Sequence, residues 1–179
     1  SRVATLRWAG GSSRTVLCAS TTSRLAGGTS TQVASRFWRL IGLLTAASTE
    51  VHRDAAGALW ALAANSENQN TIATMGGIAP LVGLLKDGTQ GAQETAAGAI
   101  HVLAEMAENR VSIAKEGGIG LLVALFNSGT ELSIEQALGA LIALAVENAE
   151  NQTAIADNGA ISSLAALLRH GDSQLVKVE

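Results

Sequence analysis

Between residues 90 and 107 the apolar positions fall at helical spacing. At about 100° per residue, Ala92, Ala96, Ala99, Ile100, Leu103 and Ala107 share one stripe. The opposite stripe carries Glu94, Gly98, Val102 and Glu105. Ala55, Ala58, Leu59 and Leu62 repeat the apolar stripe earlier in the chain, and Ala137, Ala140, Leu141 and Leu144 repeat it later. Two shorter helices are predicted ahead of this one. The first spans residues 68–75, with Asn68 or Asn70 placed to cap it. Gly76-Gly77 then permits a sharp turn that a β-carbon would obstruct. Pro80 lies in the first turn of the second helix, where its missing N–H does no harm, and that helix stops at Asp87-Gly88.

The whole pattern recurs. Ile72 and Ile113, Gly77 and Gly118, Gly88 and Gly129, and Gly98 and Gly139 are each 41 residues apart. A further copy opens at Asn151, at an offset of 42. Earlier, LIGLL at 40–44 matches LVGLL at 81–85. Units are expected at about 36–67, 68–108, 109–150 and 151–179, the last incomplete because Glu179 falls early in a third helix. The natural chain is therefore expected to continue, or a partner to cover that end. In the first unit Arg36 replaces the glycine of Gly77 and Gly118, so its short and middle helices should run together. As a terminal unit it would expose Phe37 and Trp38. A helix carrying one apolar stripe cannot bury it alone, but units stacked in register form a continuous core. The expected fold class is all-α, a right-handed solenoid of three-helix repeats.

Composition sharpens this. Apolar residues make up 47% and aromatics only 3%, so the core is built of Ala, Leu, Ile and Val, which let helix axes approach closely. No apolar run approaches the ~20 residues that span a bilayer, so no membrane span is expected. The net charge of −3 conceals an asymmetry. Residues 1–49 hold six Arg and no acid, whereas residues 50–179 hold all 15 acids. A nucleic-acid surface on the repeats is not expected, since phosphate binding needs a basic stripe. Residues 1–35 form a Ser/Thr/Arg-rich leader with little regular structure expected; it reads as a flexible leader or degenerate repeat, or as a transit-like segment. The chain is expected to be intracellular, in the cytoplasm, or in an organelle if the leader is a transit segment.

Enzymatic chemistry is not expected, and neither is a cofactor or metal. His52, His101 and His170 sit at different repeat positions without ligand-spaced partners. Cys18, the only cysteine, lies in the polar leader. Gly117-Gly118-Ile119-Gly120 follows a helix rather than a strand, so it reads as a helix break and not a phosphate cradle. Glu67-Asn68, Glu108-Asn109 and Glu150-Asn151 read as helix starts with capping residues.

The strings N-x-x-x-I-A-x-x-G-G-I-x-x-L-V-x-L-L and A-x-G-A-L-x-x-L-A resemble the armadillo repeat over most of the chain, from about residue 32. The resemblance implies that the third helices line a concave groove binding partner proteins. Importin-like armadillo proteins hold extended basic peptides with a Trp/Asn ladder. Here Ala61, Val102 and Ala143 stand at the Asn positions, and Gly57, Gly98 and Gly139 at the Trp positions. The ladder is missing, which makes a nuclear-import adaptor the weaker of the alternatives. The groove is thus expected along Arg53, Gly57, Ala61, Glu94, Gly98, Val102, Glu135, Gly139 and Ala143. Its glycine floor suits an apolar helix face, and Gly98→Ala should stabilise the free protein because no packed neighbour is displaced. The expected function is a non-catalytic protein-interaction scaffold. The alternative is a structural subunit of a larger assembly.

Overall fold

The computed structural model describes residues 4–7, 13–16, 30–45 and 48–175. Two strands, β1 (Ala4–Arg7) and β2 (Ser13–Val16), pair antiparallel, with Ala4 opposite Val16. They lie in the stretch expected to have little regular structure. Every other described element is helical. α1 (Ser30–Leu43) and α2 (Thr49–Ala63) form the first unit. The second unit comprises α3 (Ser66–Thr74), α4 (Ile78–Asp87) and α5 (Gln90–Leu103). In the third, α6 (Ala107–Lys115), α7 (Gly118–Ser128) and α8 (Glu131–Ala145) repeat that order. α9 (Ala149–Asp157) and α10 (Ala160–Leu175) follow.

The long helices α2, α5 and α8 stack directly on one another, while α4 packs on α5 and α7 on α8. The core runs along this stack. Leu59, Leu81, Ile100, Leu103, Leu122 and Leu144 are fully buried in it. Ala55, Ala96 and Ala137 keep one register position small and buried in every unit, which lets the axes come close.

Glycine breaks each unit between its first and second helices. Gly76, Gly117 and Gly159 sit at φ of 77°, 79° and 79°, a left-handed conformation that a β-carbon disfavours. The glycine after it serves another purpose. A β-carbon on Gly77 would stand 2.7 Å from Ile72 Cγ2, and one on Gly118 would stand 2.7 Å from Ile113 Cγ2. As expected, α1 has no such break where Arg36 stands. Phe37, however, is buried rather than exposed, because it takes the register of Ile78 and Ile119 in the core. Trp38, beside it, is exposed.

The junctions between units differ from the reading in sequence. The third helix stops at Leu103 rather than at Ala107, and Ala107 instead opens α6, exposed. Asn68, Asn109 and Asn151 are not caps. The residues at the N-cap are Asn65, Met106 and Asn148. Asn65 Oδ1 accepts from the backbone N–H groups of Glu67 and Asn68, and Asn148 Oδ1 from that of Asn151. The later Asn of each unit turns its amide backward and donates to the preceding third helix. Asn68 Nδ2 reaches Leu62 O at 2.8 Å, Asn109 Nδ2 reaches Leu103 O at 2.9 Å, and Asn151 Nδ2 reaches Leu144 O at 3.0 Å. These carbonyls belong to the last turn, where a helix runs out of its own donors. Glu67, Glu108 and Glu150 keep their expected place in the first turn of the following helix, where the dipole favours an acid. The residue inserted before Asn151 is absorbed at Glu147, whose φ is 49°, so the Asn-to-carbonyl bond is kept.

Candidate binding face on the third helices

Stacking α2, α5 and α8 in register makes one face of the molecule. Arg53, Ala61 and Glu135 are exposed on it, and Gly57, Glu94, Val102, Gly139 and Ala143 are half-buried. Gly98, expected on an open floor, is buried. The cause is Trp60. Its indole lies over Gly98, so a β-carbon there would stand 2.6 Å from Trp60 Cδ2 and Cε2. One unit later the His101 imidazole lies over Gly139 in the same way, with Nδ1 at 2.7 Å from the β-carbon site. Trp60 and His101 occupy the same register position, 41 residues apart. Gly98 and Gly139, two of the three mid-helix glycines, are thus seats for a side chain of the preceding helix, and the expected gain from Gly98→Ala does not hold at this site. The sequence carried a sign of it: the residue three places after each such glycine is large, namely Trp60, His101 and Ile142.

Two further contacts tie successive third helices together. Thr130 Oγ1 donates to Glu94 Oε2 at 3.3 Å, and His101 Nδ1 lies 3.3 Å from Gln136 Oε1. Glu94 is therefore engaged by the next helix rather than left as a free flank of the floor. Gln136 adds an amide beside the imidazole, so the face carries side-chain hydrogen-bonding groups as well as glycine.

Residues outside the expected set link the units along the junctions. Gln69 Nε2 donates to Glu105 Oε2 at 3.0 Å. In the same register, Arg110 donates from Nε to Ala104 O at 2.9 Å, from Nη2 to Glu105 O at 3.0 Å, and from Nη1 to Val146 O at 2.7 Å. Only the repeat spacing of Gln69 and Arg110 could have flagged them. An apolar cleft of about 330 Å³ lies away from this face, lined by Trp38 and Ile41 of α1 and by Met75 and Pro80.

Among the described residues no group of three His, Cys, Asp or Glu could hold a metal ion. Among them, too, no helix is long and apolar enough to cross a membrane. Cys18 lies outside the described residues. Gly117-Gly118 is a helix junction, between α6 and α7, as the sequence indicated.

Neither a family model nor a curated protein matches the chain. Solved structures do. A computationally designed armadillo repeat protein for modular peptide recognition is 31% identical, with 76% of this chain and 58% of that one covered and a TM-score of 0.71. A designed armadillo repeat protein in complex with the peptide (KR)4 is 28% identical, with 82% and 62% covered and a TM-score of 0.73. An engineered protein is 29% identical, with 79% and 59% covered and a TM-score of 0.72. The chain spans less than two thirds of the length of each. It has an armadillo-like repeat fold, the all-α solenoid that the sequence led us to expect.

Proposed function

We propose that this armadillo-like solenoid is a non-catalytic scaffold that binds a partner protein along the third helices. The observation that carries the reading is the ladder of Trp60 on Gly98 and His101 on Gly139. It gives α2, α5 and α8 one continuous face made of side chains from successive units. A neighbour of the same fold holds the peptide (KR)4, which supports peptide binding by such a solenoid. The floor here is raised by an indole and an imidazole and edged by Gln136 and exposed Glu135. That combination offers ring faces, amide groups and acids to a partner, so it suits an extended segment with basic side chains better than the apolar helix that a bare glycine floor would take.

The test is binding of the purified chain to an arrayed library of random peptides, repeated with one variant on each face. Val102→Arg stands on the third helices, and Ala124→Arg stands exposed on α7. Peptides should be selected, and Val102→Arg should weaken them by about tenfold or more while Ala124→Arg leaves them unchanged. No selected peptide, or a loss confined to Ala124→Arg, would overturn the reading.

A further inference from the structure

The apolar cleft of about 330 Å³ draws its walls from two units. Trp38, Gly42 and Thr45 stand on α1, and Met75, Gly76 and Pro80 stand at the turn from α3 into α4. The chain's only proline, one of its two methionines and one of its three tryptophans meet in this one place.

The repeat does not call for such a lining. Where the first junction has Trp38, Thr45 and Met75, the next has Ala79, Lys86 and Glu116, and the one after has Gly120, Asn127 and Asn158. The later junctions thus carry charged or amide side chains where the first carries an indole and a thioether. At the last of them the Asn158 side chain takes up the space, since a β-carbon on Gly120 would stand 2.8 Å from Asn158 Oδ1. These positions also face solvent inside the stack. Ala79, Gly83 and Lys86, in the register of Trp38, Gly42 and Thr45, are exposed although a unit lies on either side of α4.

The charges near the cleft have one sign. α1 carries Arg36 and Arg39, both exposed, and no acid, while residues 68–85 carry no charged side chain.

We propose that the cleft is a second docking site, which takes one aromatic side chain from a partner protein segment with acidic residues beside it. The Trp38 indole and the Met75 sulfur both favour an aromatic ring over an aliphatic chain. A β-carbon on Gly42 would meet nothing within 4 Å, so the α1 backbone there is open to a flat ring. Arg36 and Arg39 pair with the flanking carboxylates and supply the preference for an acidic segment. The site stands apart from the third-helix face, and neither reading depends on the other.

Methionine-methyl NMR of the full chain tests it, because Met75 lies in the cleft and the other methionine, Met106, starts α6 away from it. The probe is a synthetic peptide with one central Phe between two pairs of Glu. The Met75 signal should move upfield and saturate, under the ring current of the Phe, while the Met106 signal stays in place. A peptide with Ala for the Phe should move neither signal, and one with Lys for the Glu residues should bind at least about fivefold more weakly. Gly42→Phe fills the cleft from within and should abolish the response with the helical circular dichroism unchanged. If that variant loses helix, the Arg36→Glu, Arg39→Glu double variant, altered only at exposed positions, should reverse the preference toward the Lys-flanked peptide. A Met75 signal unmoved by millimolar peptide, equal movement of Met75 and Met106, or binding indifferent to the Phe or to the sign of its flanks would each overturn the proposal.

Discussion

Replacing Ile100 by alanine is expected to lower the stability of the fold by about 2–5 kcal/mol. Ile100 has none of its surface exposed and lies in the middle third helix, α5. That helix has α2 on one side and α8 on the other. The walls of the cavity left by truncation are thus held from both directions and cannot collapse into it, which places the cost toward the upper part of that range. Urea unfolding followed by circular dichroism measures it as a lower midpoint. A loss below about 1 kcal/mol would mean that the stack relaxes around the site and is looser than the burial of Leu59, Ile100 and Leu103 indicates.

The second large effect is expected at the junctions. Asn109→Ala removes the amide that holds the Leu103 carbonyl at 2.9 Å in a buried position. That carbonyl keeps only the 3.3 Å bond from the Met106 N–H. The side chain is 4% exposed, so water does not readily take the place of the amide, and the expected loss is about 1–3 kcal/mol. Asn68→Ala removes the same bond where Asn68 is only half-buried, and water can replace the amide there. Its loss should be clearly smaller. Equal losses in the two variants would show that the bond acts through helix termination alone and not through its burial.

These junctions also show where the sequence was legible and where it was not. The repeat, the three-helix unit, the stripe from Ala92 to Leu103 and the break at Gly76 were all readable, because each rests on spacing or on the conformational freedom of glycine. The roles of Asn68, Asn109 and Asn151 were not. A polar residue near a helix start reads as a cap, and nothing local shows that its amide turns back six or seven residues to a carbonyl. Gly98 failed for a related reason. Within one helix it has only Gly-to-Ala propensity to speak for it, and the ring that fills its place comes from the preceding unit. Both errors concern contacts between units, and a pattern read one unit at a time does not contain them. The row of Trp60, His101 and Ile142, three places after the glycines, was visible along the repeat.

The claim on which the binding face depends is that α5 and α8 each seat a side chain of the preceding third helix on a glycine. Thermal unfolding of Gly57→Ala and Gly98→Ala, measured side by side, tests it directly. The two substitutions are identical in chemistry and in repeat position. Each gains about 1 kcal/mol of helix propensity. At Gly57 the new methyl meets only Thr95 Cγ2 at ordinary contact distance, so the midpoint should rise by about 2–4 °C. At Gly98 the methyl would stand 2.6 Å from the fused edge of the Trp60 indole. Displacing the ring costs about 1–3 kcal/mol, so the midpoint should fall. Opposite signs are the predicted result, and a rise of equal size in both variants would contradict the account.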